Sequence, residues 1–214
     1  MPSGTRVALL ADPHNPTASA VDPDQLEASA DQLAPTCLLV LDQACCESGD
    51  PRAASRARGY APSSPIWWSG TFSKAFGLAE MRVGWRATHT QVVWPLVTVT
   101  LPFTRTAPAQ AGALAALDQE PESRRRAQLA VAERERLTAG LRRPELGLAS
   151  SFANFVWLPH GHGSPEYAAA CPEAEWSVRR IAGEGVRVMV GLAEGNQAVL
   201  EVASIYCSGQ ARLC

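Results

Sequence analysis

The chain alternates short apolar runs with polar stretches of helical period. "RVALLA" (6–11) is continuous, apolar and halted by "DPHNP", the pattern of a buried strand. "CLLVLD" (37–42) repeats it, "PIWWSG" (65–70) gives a third candidate, and "RVGWRA" (82–87) a fourth. Between the first two, "DPDQLEASADQLA" (22–34) opens on an aspartate cap, carries acidic residues early and spaces its leucines for a helix. Residues 47–64 lack periodicity, carry chain breakers and predict a loop. Continuous apolar strands separated by helices imply an α/β fold: a mostly parallel sheet with helices on both faces.

The second half changes character. "TAPAQAGALAALDQ" (106–119) predicts an alanine-rich helix, and residues 121–145 a long charged one. "ANFVWLP", a helix near 173–184, "VRVMV" and a final "AVLEVAS" strand would then form a small α+β domain. The expected organisation is a larger domain over 1–119, then the connecting helix and a small C-terminal domain over 120–214. No internal repeat is evident, and "HGHGSPE" (160–166) predicts a loop.

Composition narrows the function classes. The 214 residues are 46% hydrophobic and 19% charged with a net charge of -2, enough apolar content for a sizeable core. That balance offers no electrostatic case for nucleic acid or an anionic membrane. The first residues hold only a five-residue apolar run before an aspartate and a proline, unlike a signal peptide or a spanning helix. Cys37, Cys45, Cys46, Cys171, Cys207 and Cys214 show no CxxC spacing, so reduced thiols in a cytoplasmic protein are expected. His160 and His162 lack the neighbouring ligands of a metal site, and none is expected. "GTFSK" lacks the second glycine and the Gly-Lys-Ser/Thr ending of a phosphate-binding P-loop.

In an open parallel sheet, ligands bind at the carboxyl ends of the strands. The residues at those ends are therefore informative. Asn15 comes after the first predicted strand, Asp42 ends the second, and Ser73 and Lys74 come after the third. Taken singly, an Asn-Pro turn, a strand-end aspartate and a loop lysine each have an ordinary structural explanation. Their succession at strand ends, an amide, a carboxylate, a hydroxyl and an amine, points to one crevice.

The segments "DPHNPTA", "LVLDQACCE" and "TFSKAFGLAEMRVGW" resemble the consecutive signatures of fold-type I pyridoxal-phosphate aminotransferases, the histidinol-phosphate aminotransferase group in particular. "LPFTRTAPAQAGALAAL" and "SFANFVWLP" are similar to later segments of that family. The resemblance implies pyridoxal 5'-phosphate as cofactor, with Lys74 attaching it covalently and moving the proton, in surroundings tight enough to desolvate its amine. It implies Asp42 paired with the pyridinium nitrogen, Asn15 on the phenolic oxygen, and Ser73 and Arg82 on the phosphate. Small-molecule partners, an amino donor and a 2-oxo acid, a role in amino-acid biosynthesis and a cytoplasmic homodimer are expected from it. A catalytically degenerate remnant and a lyase on the same scaffold, such as a threonine-phosphate decarboxylase, remain open alternatives.

Four features depart from the resemblance. The sequence opens just before the first signature, where the family carries a phosphate-binding helix start and a ring-stacking aromatic, so an N-terminally truncated large domain is expected. Cys45 stands in place of a tyrosine. On the expected final strand, Glu201 stands in place of the substrate-carboxylate arginine, and neither Arg187 nor Arg212 has the spacing to replace it. The tail "IYCSGQARLC" has no family likeness.

Overall fold

The computed structural model describes residues 4–49, 66–142, 148–159 and 178–210, with side chains as far as Ser204. "HGHGSPE", Arg212 and most of the 47–64 loop lie outside the described residues. The chain divides into two compact units, residues 1–14 with 20–127, and residues 15–19 with 128–214.

The first unit is built on strands β1 (Val7–Ala11), β2 (Leu38–Asp42), β3 (Ile66–Thr71) and β4 (Gly84–Thr88), with helix α1 (Pro23–Asp31) between β1 and β2. The sheet order is β1-β2-β3-β4. β1 runs parallel to β2 and β2 to β3, with Ala11 opposite Asp42 and Asp42 opposite Ser69, so their carboxyl ends line up. Asp22 caps α1 by accepting from the amides of Asp24 and Gln25. The helix buries Ala30 against Leu39, Leu41 and Ile66, with Leu26, Leu33 and Trp68 around them.

The fourth strand is the antiparallel member of this mostly parallel sheet. β4 pairs antiparallel with β3, from Thr71 opposite Gly84 to Trp67 opposite Thr88. A parallel return needs a crossover of a dozen or more residues, usually a helix. The 72–83 connection is instead spent on a turn and a 3₁₀ segment at Ala79–Met81. A Cβ at Gly70 would stand 2.5 Å from the Trp85 ring on β4, so the bare glycine backbone lets that ring lie over it.

Helix α2 (Thr90–Val99) comes next, a helix that the sequence pattern does not predict. Its valines and threonines favour a strand, and Pro95 lies within it. His89 caps it through Nδ1, accepting the Gln91 amide at 3.3 Å. Helices α3 (Ala107–Asp118) and α4 (Glu120–Leu141) complete the series. The division between units falls inside α4, after Ala127.

The second unit holds β5 (Phe155–Pro159), β6 (Val178–Ile181) and β7 (Gly185–Met189) in the antiparallel order β5-β7-β6, with helix α5 (Ala193–Gln210) after them. Leu137 and Leu141 of α4 pack with Val156, Leu158, Val186, Val188 and Val199 as its core. Two expectations are corrected. The described part of the predicted 173–184 helix is strand β6 and the turn that follows it: residues 178–181 pair antiparallel with β7, from Val178 opposite Val188 to Ile181 opposite Gly185. The predicted "AVLEVAS" strand is part of α5: its apolar residues fall at helical spacing, and Gln197 donates to Glu201 across one turn at 3.3 Å.

Candidate functional site

Lys74 is held by its neighbours rather than by its own side chain. Phe72 and Phe76 flank it two residues to either side, their ring centroids 4.8 Å apart. Phe72 is buried with Val83 and Ala109, and Phe76, Leu78, Ala113 and Ala116 close the cluster. The small residues of α3 let that helix approach the turn. Backbone bonds fix the rest: the Gly77 amide donates to the Lys74 carbonyl at 2.9 Å, and the Leu78 amide to the Phe72 carbonyl at 2.9 Å. Gly77 adopts φ 71, a left-handed conformation that glycine reaches without a Cβ penalty. With both aromatics turned inward, Lys74 is left exposed. The desolvation expected around its amine is therefore not provided by this turn, because the apolar residues pack beneath it.

Next to Lys74 the sequence gathers phosphate-type donors. Thr71 Oγ1 donates to Ser73 Oγ at 2.9 Å and accepts the Ser73 amide at 3.1 Å. Arg82 reaches back with Nη1 3.4 Å from Ser73 Oγ and 2.7 Å from the Ala79 carbonyl. It does so from a left-handed backbone, φ 50 and ψ 43, as the cap of the 3₁₀ segment rather than the start of the predicted strand. Non-glycine residues avoid this region, and where they are held there the strain commonly serves a site.

Asp42 ends β2 with its carboxylate exposed, accepting the Ala44 amide at 3.1 Å. Asp12, which in the sequence pattern is only a strand stop, extends the ladder by donating its amide to the Asp42 carbonyl at 2.9 Å. Its side chain is buried and accepts the Val21 amide at 3.0 Å. Burial pushes its carboxyl up from the ordinary value, against the opposing pull of the Val21 hydrogen bond. Glu47 is raised by burial in the same way. Burial, reinforced by the Glu47 and Cys45 charges, pushes the Cys46 thiol up to about 12, so it stays protonated. Cys45 is half-buried at the start of the 46–48 turn. Among the described residues, Cys37, Cys45 and Cys46 form no disulfide.

The first unit thus brings Ser73 and Arg82 together and sets Asp42 at an adjacent strand end. Asn15 belongs to the second unit. There its Oδ1 accepts from Arg187 Nη1 at 2.9 Å, and the Arg187 guanidinium lies 5.1 Å from the Phe155 ring centroid. Sequence spacing misses this pair, because the partners are 172 positions apart. The signal available is that "VRVMV" alternates, which puts Arg187 on the opposite face from the buried Val186 and Val188. Glu201 is exposed on α5 and takes no clamp position on a strand. Among the described residues, no group of three or more His, Cys, Asp or Glu side chains could hold a metal ion, and no helix is long and apolar enough to cross a membrane.

Parallel strands with aligned carboxyl ends, an anchored lysine turn and a cluster of phosphate-type donors define an α/β protein of the pyridoxal-phosphate transferase type. Residues 2–214 match the model of the aminotransferase class I and II family, and the chain belongs to that family. The aromatic amino acid aminotransferase of Thermobifida fusca is 40% identical over 203 residues, 94% of this chain and 56% of that protein. This chain therefore spans little more than half the length of that relative. Histidinol-phosphate aminotransferase of Sinorhizobium meliloti, solved with pyridoxal-5'-phosphate, shares the fold at TM-score 0.75 and 24% identity, over 95% of this chain and 58% of that one. L-threonine-O-3-phosphate decarboxylase of Porphyromonas gingivalis shares it at TM-score 0.74 and 17% identity, over 96% of this chain and 66% of that one.

The donor chemistry fits the family's cofactor. Two hydroxyls and a guanidinium meet at one spot, as a phosphate dianion requires. A carboxylate stands at the next strand end for a protonated ring nitrogen. Of the 19 lysines and arginines in the sequence, Lys74 is the only lysine. Arginine cannot lose its proton at physiological pH, so among the side chains only Lys74 could offer the cofactor an amine.

Proposed function

We propose that this chain carries the cofactor-binding and substrate-carboxylate residues of a pyridoxal-phosphate aminotransferase acting on aromatic amino acids and a 2-oxo acid. The observation that carries the reading is the sole lysine, presented three residues beyond β3 beside the Thr71–Ser73–Arg82 donor group. When bound, pyridoxal phosphate supplies an electron sink for the bond broken at the amino-acid α-carbon. Lys74 Nζ holds it covalently and, once released, takes and returns the α-proton. Ser73 and Arg82 anchor the phosphate, the Asp42 carboxylate keeps the ring nitrogen protonated, and Asn15 donates through its amide NH₂ to the phenolic oxygen.

Arg187, not Glu201, binds the substrate carboxylate. Its guanidinium is held by the Asn15 amide oxygen within the second unit. The aromatic class is favoured over histidinol phosphate because the relative at 40% identity carries that name, whereas the histidinol-phosphate enzyme shares the fold at only 24%. A cytoplasmic homodimer in amino-acid biosynthesis belongs to the same reading. The apolar surface of Trp94, Val99, Leu101 and Phe103 supports association.

The test is a donor comparison. The protein is saturated with pyridoxal phosphate and 2-oxoglutarate and offered phenylalanine, tyrosine or histidinol phosphate. Glutamate formation should be fastest with the aromatic donors and absent in Lys74→Ala. Release of carbon dioxide without glutamate would place the chain with the decarboxylases instead.

A further inference from the structure

The Asn15–Arg187 pair joins a residue of the short 15–19 segment to a residue of β7, and its register has to be set by something else. The 15–19 segment is anchored at Ala18, fully buried with φ 59, whose carbonyl accepts the Phe152 amide at 2.8 Å. Phe152 lies in the 151–154 turn. The Ser151 hydroxyl donates to the Phe155 carbonyl and accepts the Ala153 amide at 3.4 Å. At the far end, the Val190 amide donates to the Asn154 carbonyl at 3.0 Å, just beyond β7. One turn is thereby tied to both halves of the pair.

Into this turn α4 sends Arg134. The side chain is only 8% exposed, and Nη1 donates to the Ala153 carbonyl at 3.1 Å. Burying a guanidinium is expensive, and an apolar side chain of similar size would fill the space at less cost. What arginine adds is a charge-assisted donor of fixed direction. We propose that Arg134 is a positioning residue for the carboxylate site: by holding the Ala153 carbonyl it fixes the 151–154 turn, and through it the register of Asn15 against Arg187. This inference rests on the carboxylate-binding reading of Arg187.

The experiment uses the full chain, with 3-phenylpropionate as a carboxylate probe titrated by calorimetry and hydrogen exchange measured at the Phe152 amide. Arg134→Met should weaken the probe by about tenfold, the size of one lost hydrogen bond to a charged group, and speed Phe152 exchange. Leu137→Val, a core truncation in the same unit, should lower thermal stability without either effect. Arg134→Lys should recover part of the affinity. Ser151→Ala should move both readouts the same way by less, and it serves if Arg134→Met does not fold. If the Arg134 and Ser151 variants lose stability but match Leu137→Val in both readouts, Arg134 is only structural and the proposal fails. Arg187→Met separates the two layers. If it leaves probe affinity unchanged, the carboxylate reading is wrong and this proposal falls with it. If it abolishes binding while the Arg134 variants do not weaken it, only the positioning role is lost.

Discussion

Arg82 combines a strained backbone with a binding role, and glycine and alanine substitutions there separate the two. A non-glycine residue at φ 50, ψ 43 costs about 1–2 kcal/mol relative to right-handed backbone. The side chain returns some of this through its bonds to the Ala79 carbonyl and Ser73 hydroxyl. Both are exposed, and together they are worth about 1 kcal/mol at most. Arg82→Ala removes the bonds and keeps the backbone cost. Arg82→Gly removes both, offset by roughly 0.5–1 kcal/mol of added freedom in the unfolded chain. The glycine variant should therefore exceed the alanine variant by about 1 kcal/mol, or ~2–4 °C in Tm for a chain of this length. Both lose the guanidinium, so both should bind pyridoxal phosphate about 10- to 100-fold more weakly, as expected for a charge-assisted contact. Urea denaturation and cofactor titration by tryptophan fluorescence measure the two effects independently. An alanine variant as stable as the glycine variant would refute the backbone strain. A glycine variant that binds cofactor like the parent would refute the phosphate role.

Burial holds the Asp12 carboxyl above its ordinary 3.8, so the folded chain keeps that proton to higher pH than the unfolded chain. The stability this contributes is complete below 3.8 and is lost as pH rises through the folded value. Asp12→Asn should flatten that fall in a series of denaturation curves, and an unchanged slope would assign it to other groups, Glu47 first. At Gly185 a Cβ would run into the Leu158 carbonyl and the Trp157 ring. Gly185→Ala should cost about 2–4 kcal/mol and, by displacing β7, weaken 3-phenylpropionate binding at Arg187 two residues on. A thermal melt within a degree of the parent would show that the β5–β7 pairing relaxes around the methyl group.

The first three strands can be read from the sequence because each is a continuous apolar run ended by a polar residue, and that ending is also where the proposed site residues fall. Asp42, Ser73 and Lys74 are legible for that reason. The direction of β4 is not, since an apolar run looks the same whichever way it pairs, and only the length and contents of 72–83 decide it. α2 is hidden by its β-branched residues and by Pro95, all poor helix formers by propensity. "AVLEVAS" is ambiguous because a short apolar run suits a strand or a buried helix face. That ambiguity moves the expected carboxylate site to Glu201, while the spacing of Arg187 argues against it. The Asn15–Arg187 pair depends on a contact across most of the chain, which no local pattern encodes.

The central claim is that Lys74 is the residue that holds pyridoxal phosphate, and the composition makes it open to a direct measurement. Borohydride reduction in the presence of the cofactor fixes it to whichever amine carries it, and the chain offers only Lys74 and the amino terminus. Peptide mass mapping should find the reduced pyridoxyl group on the peptide containing Ser73 and Lys74, at one equivalent per chain, and find none in Lys74→Ala. Label confined to the amino terminus, or no stable label at saturating cofactor, would contradict the account.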